Sequence, residues 1–295
     1  MKRSAALLLL SAALCAVPAL AKTPAEILKD SPASDWRPLD PKNGLAMDLD
    51  GHQVIIELAP RFAPEHVANI RTLAHEGYYD NLAVVRVQDN FVTQWGDPNE
   101  DDKAKAKPLG AAQAHLPAEF STPFKGSLPF NALADRDGWA PLTGWTEGFP
   151  VAADPKADKA WITHCYGVVG AGRNMEVDSS TGAELYAIIG QSPRMLDLNI
   201  TVVGRVLKGM EYLSALPRGT APMGMYDKPE QFVKINSVKL IADLPADQQP
   251  KLKILKTSSK TWRDYLETRR NPPDDFHVYK ANFTNVCNVQ VPVRE

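Results

Sequence analysis

The sequence predicts a mainly β protein, an antiparallel barrel or sandwich on which two modest helices pack. Three observations carry that expectation. Short runs of strand character recur between residues 45 and 241, two alternating runs flank the hairpin dipeptide Asp50-Gly51, and only two stretches there have helical periodicity. Strands that do not alternate regularly with helices do not build a parallel sheet.

The chain of 295 residues opens on Met1-Lys2-Arg3, followed by an apolar run from Ala5 to Leu20 that ends in Ala19-Leu20-Ala21. A charged start, an Ala-rich segment too short for a stable span and an A-x-A site predict a signal peptide over residues 1–21, cleaved near Ala21. The expected product is periplasmic or secreted, without stable membrane insertion. A polar arm containing Pro24, Pro32, Pro38 and Pro41 fills residues 22–44. Alternation then begins at Leu45 to Leu49 and resumes over His52 to Leu58. Over residues 63–76, Pro64 suits a first helical turn, Glu65 suits its positive end, Val67, Ile70, Leu73 and Ala74 share one face, and Gly77 ends the helix.

Leu82 to Val87 and Phe91 to Gln94 read as two strands joined through Gln88-Asp89-Asn90. Between about residues 98 and 160 the pattern dissolves under repeated Pro and Gly, predicting a long irregular insertion whose Phe and Trp residues pack on something. Strand character returns at Gly167 to Val169, Leu185 to Ile189 and Thr201 to Leu207, then a short helix at Gly209 to Leu213 and a strand at Phe232 to Ile241. Residues 244–295 form a C-terminal extension with a helix near Lys260 to Arg269 and a β-rich end. Phe276, Val278, Tyr279, Phe283, Val286, Val289 and Val291 make it too apolar to trail in solvent.

Composition narrows the function. With 44% hydrophobic and 23% charged residues the chain is globular, and 33 basic against 35 acidic residues give no cationic face for nucleic acid or anionic lipid. Past residue 21 only Cys165 and Cys287 remain. In an oxidising compartment they are compatible with a bridge or with two buried thiols, and neither has the CxxC spacing of a redox or zinc site. The six histidines are scattered, and His66, beside Glu65, reads as a solvated or edge residue. No nucleophile elbow, HExxH or phosphate-binding glycine loop occurs, so neither a metal nor a cofactor is expected.

The most specific segment is Val84-Val85-Arg86-Val87-Gln88-Asp89-Asn90-Phe91-Val92-Thr93-Gln94-Trp95-Gly96-Asp97. With Ala63-Pro64-Glu65-His66 and Gly77-Tyr78-Tyr79-Asp80 before it, it closely resembles the first half of the cyclophilin family. Gly167 to Arg173 is similar to that family's groove-lining Gly-x-x-x-Met-Ala segment. Ser179 to Tyr186 stands where cyclophilins carry Ser-Gln-Phe-Phe, and Leu196-Asp197, Val203-Gly204-Arg205-Val206 and Gly209-Met210-Glu211 resemble its second half. The resemblance covers about residues 45–241 outside the insertion, within a domain set at 45–243. It implies an eight-stranded antiparallel barrel capped by two helices, binding proline-containing polypeptides on its outer face and isomerising Xaa-Pro bonds in exported proteins.

By that resemblance Arg86, Phe91 and Gln94 are the catalytic set. Arg86 is the donor that stabilises the twisted amide, and Gln94 contacts the peptide backbone. Val92, Ala171, Gly172, Glu184, Tyr186, Met195 and Leu196 line the substrate groove. The chemistry is consistent: a planar, permanently charged guanidinium aimed at the prolyl nitrogen favours the twisted state over either planar one. Glu184, Leu185-Tyr186, Met195, Ile200 and Trp95 depart from the usual Gln, Phe pair, Trp, His and Gly. The alternative is a cyclophilin-shaped peptide-binding or chaperone module with weak or no turnover. Nothing in the sequence sets an oligomeric state.

Overall fold

The computed structural model describes residues 22–125 and 128–295, so the expected signal peptide lies outside the described residues. In chain order the elements are α1 (Pro24–Lys29), β1 (Trp36–Pro38), β2 (Gly44–Leu49), β3 (His52–Leu58), α2 (Pro64–His75), β4 (Ala83–Val87) and β5 (Val92–Gly96). Next come β6 (Asn131–Ala132), β7 (Leu142–Thr146), β8 (Phe149–Asp154), β9 (Lys159–Ile162), β10 (Val168–Ala171), β11 (Leu185–Ile188) and β12 (Val202–Lys208). The last are α3 (Met210–Ser214), β13 (Val233–Leu240), β14 (Lys253–Leu255), α4 (Lys260–Arg270) and β15 (Val293–Arg294).

Eight strands close an antiparallel barrel in the order β10-β11-β5-β4-β13-β2-β3-β12. The β2–β3 hairpin turns on Asp50 and Gly51, both at positive φ, with Leu49 opposite His52. That is the two-residue turn whose twist matches its strands. Leu45, Met47, Val54, Ile56, Trp95, Leu185 and Ala187 fill the barrel, and Val67, Ile70 and Leu73 of α2 and Leu213 of α3 close it. Trp95 therefore faces inward, away from the outer surface of β5.

The N-cap of α2 is Ala63, whose methyl group makes no capping hydrogen bond. The carboxylate of Glu119, from the insertion, accepts from the backbone N–H groups of Glu65 and His66 at 2.9 Å each. It thereby satisfies two of the orphan donors of the first turn. The same carboxylate lies 2.7 Å from His66 Nδ1, and His66 is fully buried. The expectation of a solvated His66 fails because its partner arrives from 53 residues away.

The expectation of an irregular insertion holds only for its first part. Residues 131–162 form a four-stranded antiparallel sheet in the order β6-β7-β8-β9. Trp145, Phe149, Val151, Ala153, Ala160 and Ile162 are buried in a second apolar core. The β7–β8 turn places Glu147 and Gly148 at positive φ, and Gly144 lets Asn131 approach so closely that a Cβ would meet its carbonyl oxygen at 2.2 Å. The glycines that read as loop punctuation are the turn and close-contact positions of this sheet.

Both ends of the chain complete the second core. Arm strand β1 pairs with β14, Trp36 opposite Leu255, and β14 pairs with β15. Trp36, Leu39, Ile254, Leu255, Trp262, Val286, Val289 and Val291 pack against the insertion sheet, with Trp145 and Trp262 edge to face at 4.9 Å. A disulfide joins Cys165, just before β10, to Cys287 in the extension, with their Cα atoms 4.9 Å apart. The extension packs back only in part. Val286, Val289 and Val291 are buried, whereas Phe276, Val278 and Tyr279 are more than 80% exposed. The two cores are also tied by charge. Glu57 of β3 accepts from Arg205 at 2.9 Å and from Arg37 of β1 at 2.6 Å.

Candidate active site

Barrel register decides which side chains meet. Arg86 of β4 lies opposite Gln94 of β5, Gln94 opposite Tyr186 of β11, and Tyr186 opposite Gly170 of β10. Side chains directly across a pleated sheet share a face, so these residues form one row on the outside of the barrel. A register shift between Val84 and Arg86 re-aims the Arg strand. Two residues along, Val92 lies opposite Ile188. Two residues the other way, Glu184 stands between Gly96 and Gly172, where added Cβ atoms would come within 3.1 Å and 2.7 Å of its side chain. The two glycines are the space in which the Glu184 side chain rests.

Arg86 is half-buried and held by three acceptors. Its Nε donates to the Met223 carbonyl at 2.7 Å, one terminal nitrogen donates to Gln94 Oε1 at 3.0 Å, and the other donates to Gln88 Oε1. Of the guanidinium's five donors, two remain uncommitted. Its carbon lies 5.5 Å from the Phe91 ring centroid. Burial pulls its pKa down from the ordinary guanidinium value, against the pull of Glu184. Gln94 in turn donates to Glu184 Oε1 at 2.6 Å. Burial raises the Glu184 carboxyl above the usual range, opposed by that bond and by the charge of Arg86.

Beside the row, Val92, Tyr186 and Ile188 form a small apolar cluster with Phe91 and Ile200 packed against it. The structure thus brings together Arg86, Phe91, Val92, Gln94, Glu184 and Tyr186, with Gly172 beneath Glu184. Ala171 is fully buried in the barrel core, Met195 is 62% exposed, and Leu196 is partly buried outside the apolar cluster. Ile200 occupies part of the apolar surface expected of Met195 and Leu196. Sequence reasoning missed Gln88, Met223 and His164, and it held Gly170 only as part of the groove-lining segment Gly167 to Arg173. Gln88 follows Arg86 at the strand period of two and was legible in principle; the others reach the site from distant segments.

The family model described as cyclophilin type peptidyl-prolyl cis-trans isomerase/CLD matches residues 45–240. A probable peptidyl-prolyl cis-trans isomerase of Brucella suis is 28% identical over 202 residues, covering 66% of this chain and 82% of that protein. Peptidyl-prolyl cis-trans isomerase B of Bacillus subtilis is 45% identical over 58 residues, 20% of this chain and 41% of that one. In fold, the chain is similar to the cyclophilin AquaCyp293 from Hirschia baltica, with a TM-score of 0.72 at 24% identity, over 92% of this chain and 97% of that one. Closed barrel, outward Arg–Gln row and a family match across about two thirds of the length agree: this chain belongs to the cyclophilin-type peptidyl-prolyl cis-trans isomerases.

Proposed function

We propose that this isomerase accelerates rotation about Xaa-Pro bonds in exported polypeptides, with Arg86 stabilising the twisted amide. One observation carries the mechanism: a guanidinium fixed by three acceptors keeps two donors free beside a small apolar cluster. The barrier of about 18–20 kcal/mol comes from delocalisation of the nitrogen lone pair into the carbonyl. As the bond twists, that lone pair localises and becomes an acceptor. A donor already in place then stabilises the twisted state more than either planar one. Phe91, Val92, Tyr186 and Ile200 would seat the proline ring, while Gln94, aligned by Glu184, holds the peptide backbone. No proton, metal or nucleophile enters this scheme.

The leader-like residues 1–21 support a periplasmic setting, as does the disulfide, since such bonds persist in oxidising compartments. Among the described residues no helix is long and apolar enough to cross a membrane. Proline-containing segments of unfolded polypeptides are the proposed substrates. In a protease-coupled assay on a short Xaa-Pro peptide, Arg86→Ala should lower kcat/KM by roughly 10²–10³, the usual loss for a preorganised transition-state donor. Arg86→Lys should recover little, because a flexible point charge does not reproduce a planar donor. An Arg86→Ala protein that is folded and as fast as wild type would overturn the mechanism. A wild type that binds the peptide without turning it over would favour a peptide-binding module.

A further inference from the structure

Tyr186 carries a hydroxyl into the apolar patch, and that hydroxyl has a partner. Its ring leans over Gly170, where an added Cβ would lie 2.2 Å from the phenol oxygen. The oxygen lies 3.0 Å from Nε2 of His164, a fully buried residue whose ring is nearly parallel to the phenol, at 12°. On its other side His164 meets Asp197, with Nδ1 and the backbone N–H each 3.0 Å from Oδ1. Asp197 Oδ2 accepts from Arg194 Nε at 2.6 Å and from Trp161 Nε1 at 3.1 Å. Arg194 clamps Asp137 of the insertion at 3.0 and 3.1 Å.

The direction of each bond follows. Burial pushes the Asp197 carboxyl upward, but the bond from His164 and the charge of Arg194 hold it below the usual range. An ionised carboxylate only accepts, so His164 Nδ1 donates, which leaves Nε2 to pair with the Tyr186 hydroxyl. A phenol at this depth is costly without a partner, and with one its ring is fixed in direction. His164 thereby ties Tyr186 on β11 to Asp197, at the end of the turn at Arg194–Leu196.

We propose that His164 is a positioning residue for peptide binding, fixing the Tyr186 ring within the apolar cluster proposed to seat the proline, with Asp197 and Arg194 as its anchor. The inference rests on the reading of the groove given above. It predicts a split that a merely structural role would not produce: His164 acts on the pocket and not on Arg86, so its loss should raise KM and leave kcat alone.

The test uses full-length mature protein, with isomerisation kinetics and calorimetric affinity for one Xaa-Pro peptide. Tyr186→Phe keeps the ring and removes the hydroxyl. His164→Asn keeps a donor near the Nδ1 position for Asp197 and removes the Nε2 acceptor. Each should raise KM and Kd about three- to tenfold, the range for one lost hydrogen bond, with kcat within about twofold. The double variant should be no worse than either single one, because both break the same link. His164→Gln, whose amide reaches toward the Nε2 position, should recover part of the affinity. Unchanged KM and Kd in Tyr186→Phe would overturn the proposal, as would independent, multiplying effects in the double variant. If His164→Asn does not fold, Tyr186→Phe decides alone. A wild type that binds without turnover removes the proposed activity, and the affinity series still decides this inference.

Discussion

Removing the Cys165–Cys287 bridge measures how firmly the extension is held. The bond closes a loop spanning 122 residues, from just before β10 through the second half of the barrel and α4 to the last apolar residues. Restricting a denatured chain over such a loop is worth about 5 kcal/mol in the chain-entropy model, and native bridges commonly deliver about 2–4. The lower range applies here. Val286, Val289 and Val291 anchor the same segment by burial, and a compact denatured state has already lost part of the entropy. For a chain of this size about 3 kcal/mol corresponds to a fall in Tm of roughly 6–12 °C. Replacing both cysteines with Ala introduces no charge and only a small cavity. Thermal unfolding followed by circular dichroism on wild type, reduced wild type and the double Ala variant makes the comparison. A double variant melting within a degree of oxidised wild type would refute the reasoning, since the extension would then be fixed by packing alone.

Two further outcomes are expected. Glu184→Gln keeps the acceptor for Gln94 and removes a carboxyl whose pKa burial has raised. The folded state then binds the proton more tightly than the unfolded one, so native stability is lost as pH rises from the unfolded value through the folded one. The variant should melt above wild type at neutral pH, the gap closing below the ordinary Glu range near about 4.3; a gap constant over that span counts against the buried-carboxyl account. Separately, exported protein should have the intact mass of a chain starting at Lys22, and a mass retaining residues 1–21 would remove the periplasmic proposal.

The barrel was legible because its signals are local. A two-residue alternation, Asp50-Gly51 and the helix over Pro64–His75 each depend on neighbours within one turn or one hairpin. That Arg86 and Gln94 stand on neighbouring strands was legible because β4 and β5 are joined by a short turn, so spacing along the chain fixes spacing across the sheet. The β6–β9 sheet was not legible. Gly144, Gly148 and Pro150 interrupt its alternation, and its apolar face is explained only by a second core that the chain ends supply. His66 and His164 were missed for the same reason, their carboxylate partners lying 53 and 33 residues away. Phe276, Val278 and Tyr279 were misjudged because apolar composition says that a segment tends to pack, not which of its residues find a surface.

The pairing of β1 with β14 makes the second core a late event in the life of each molecule. Trp36 leaves the ribosome early and must wait for Leu255, by which time every barrel strand has been synthesised. A prematurely terminated chain would therefore display an unpaired strand edge and uncovered indole and aliphatic surface at its very beginning. Such surface marks a chain for aggregation or degradation.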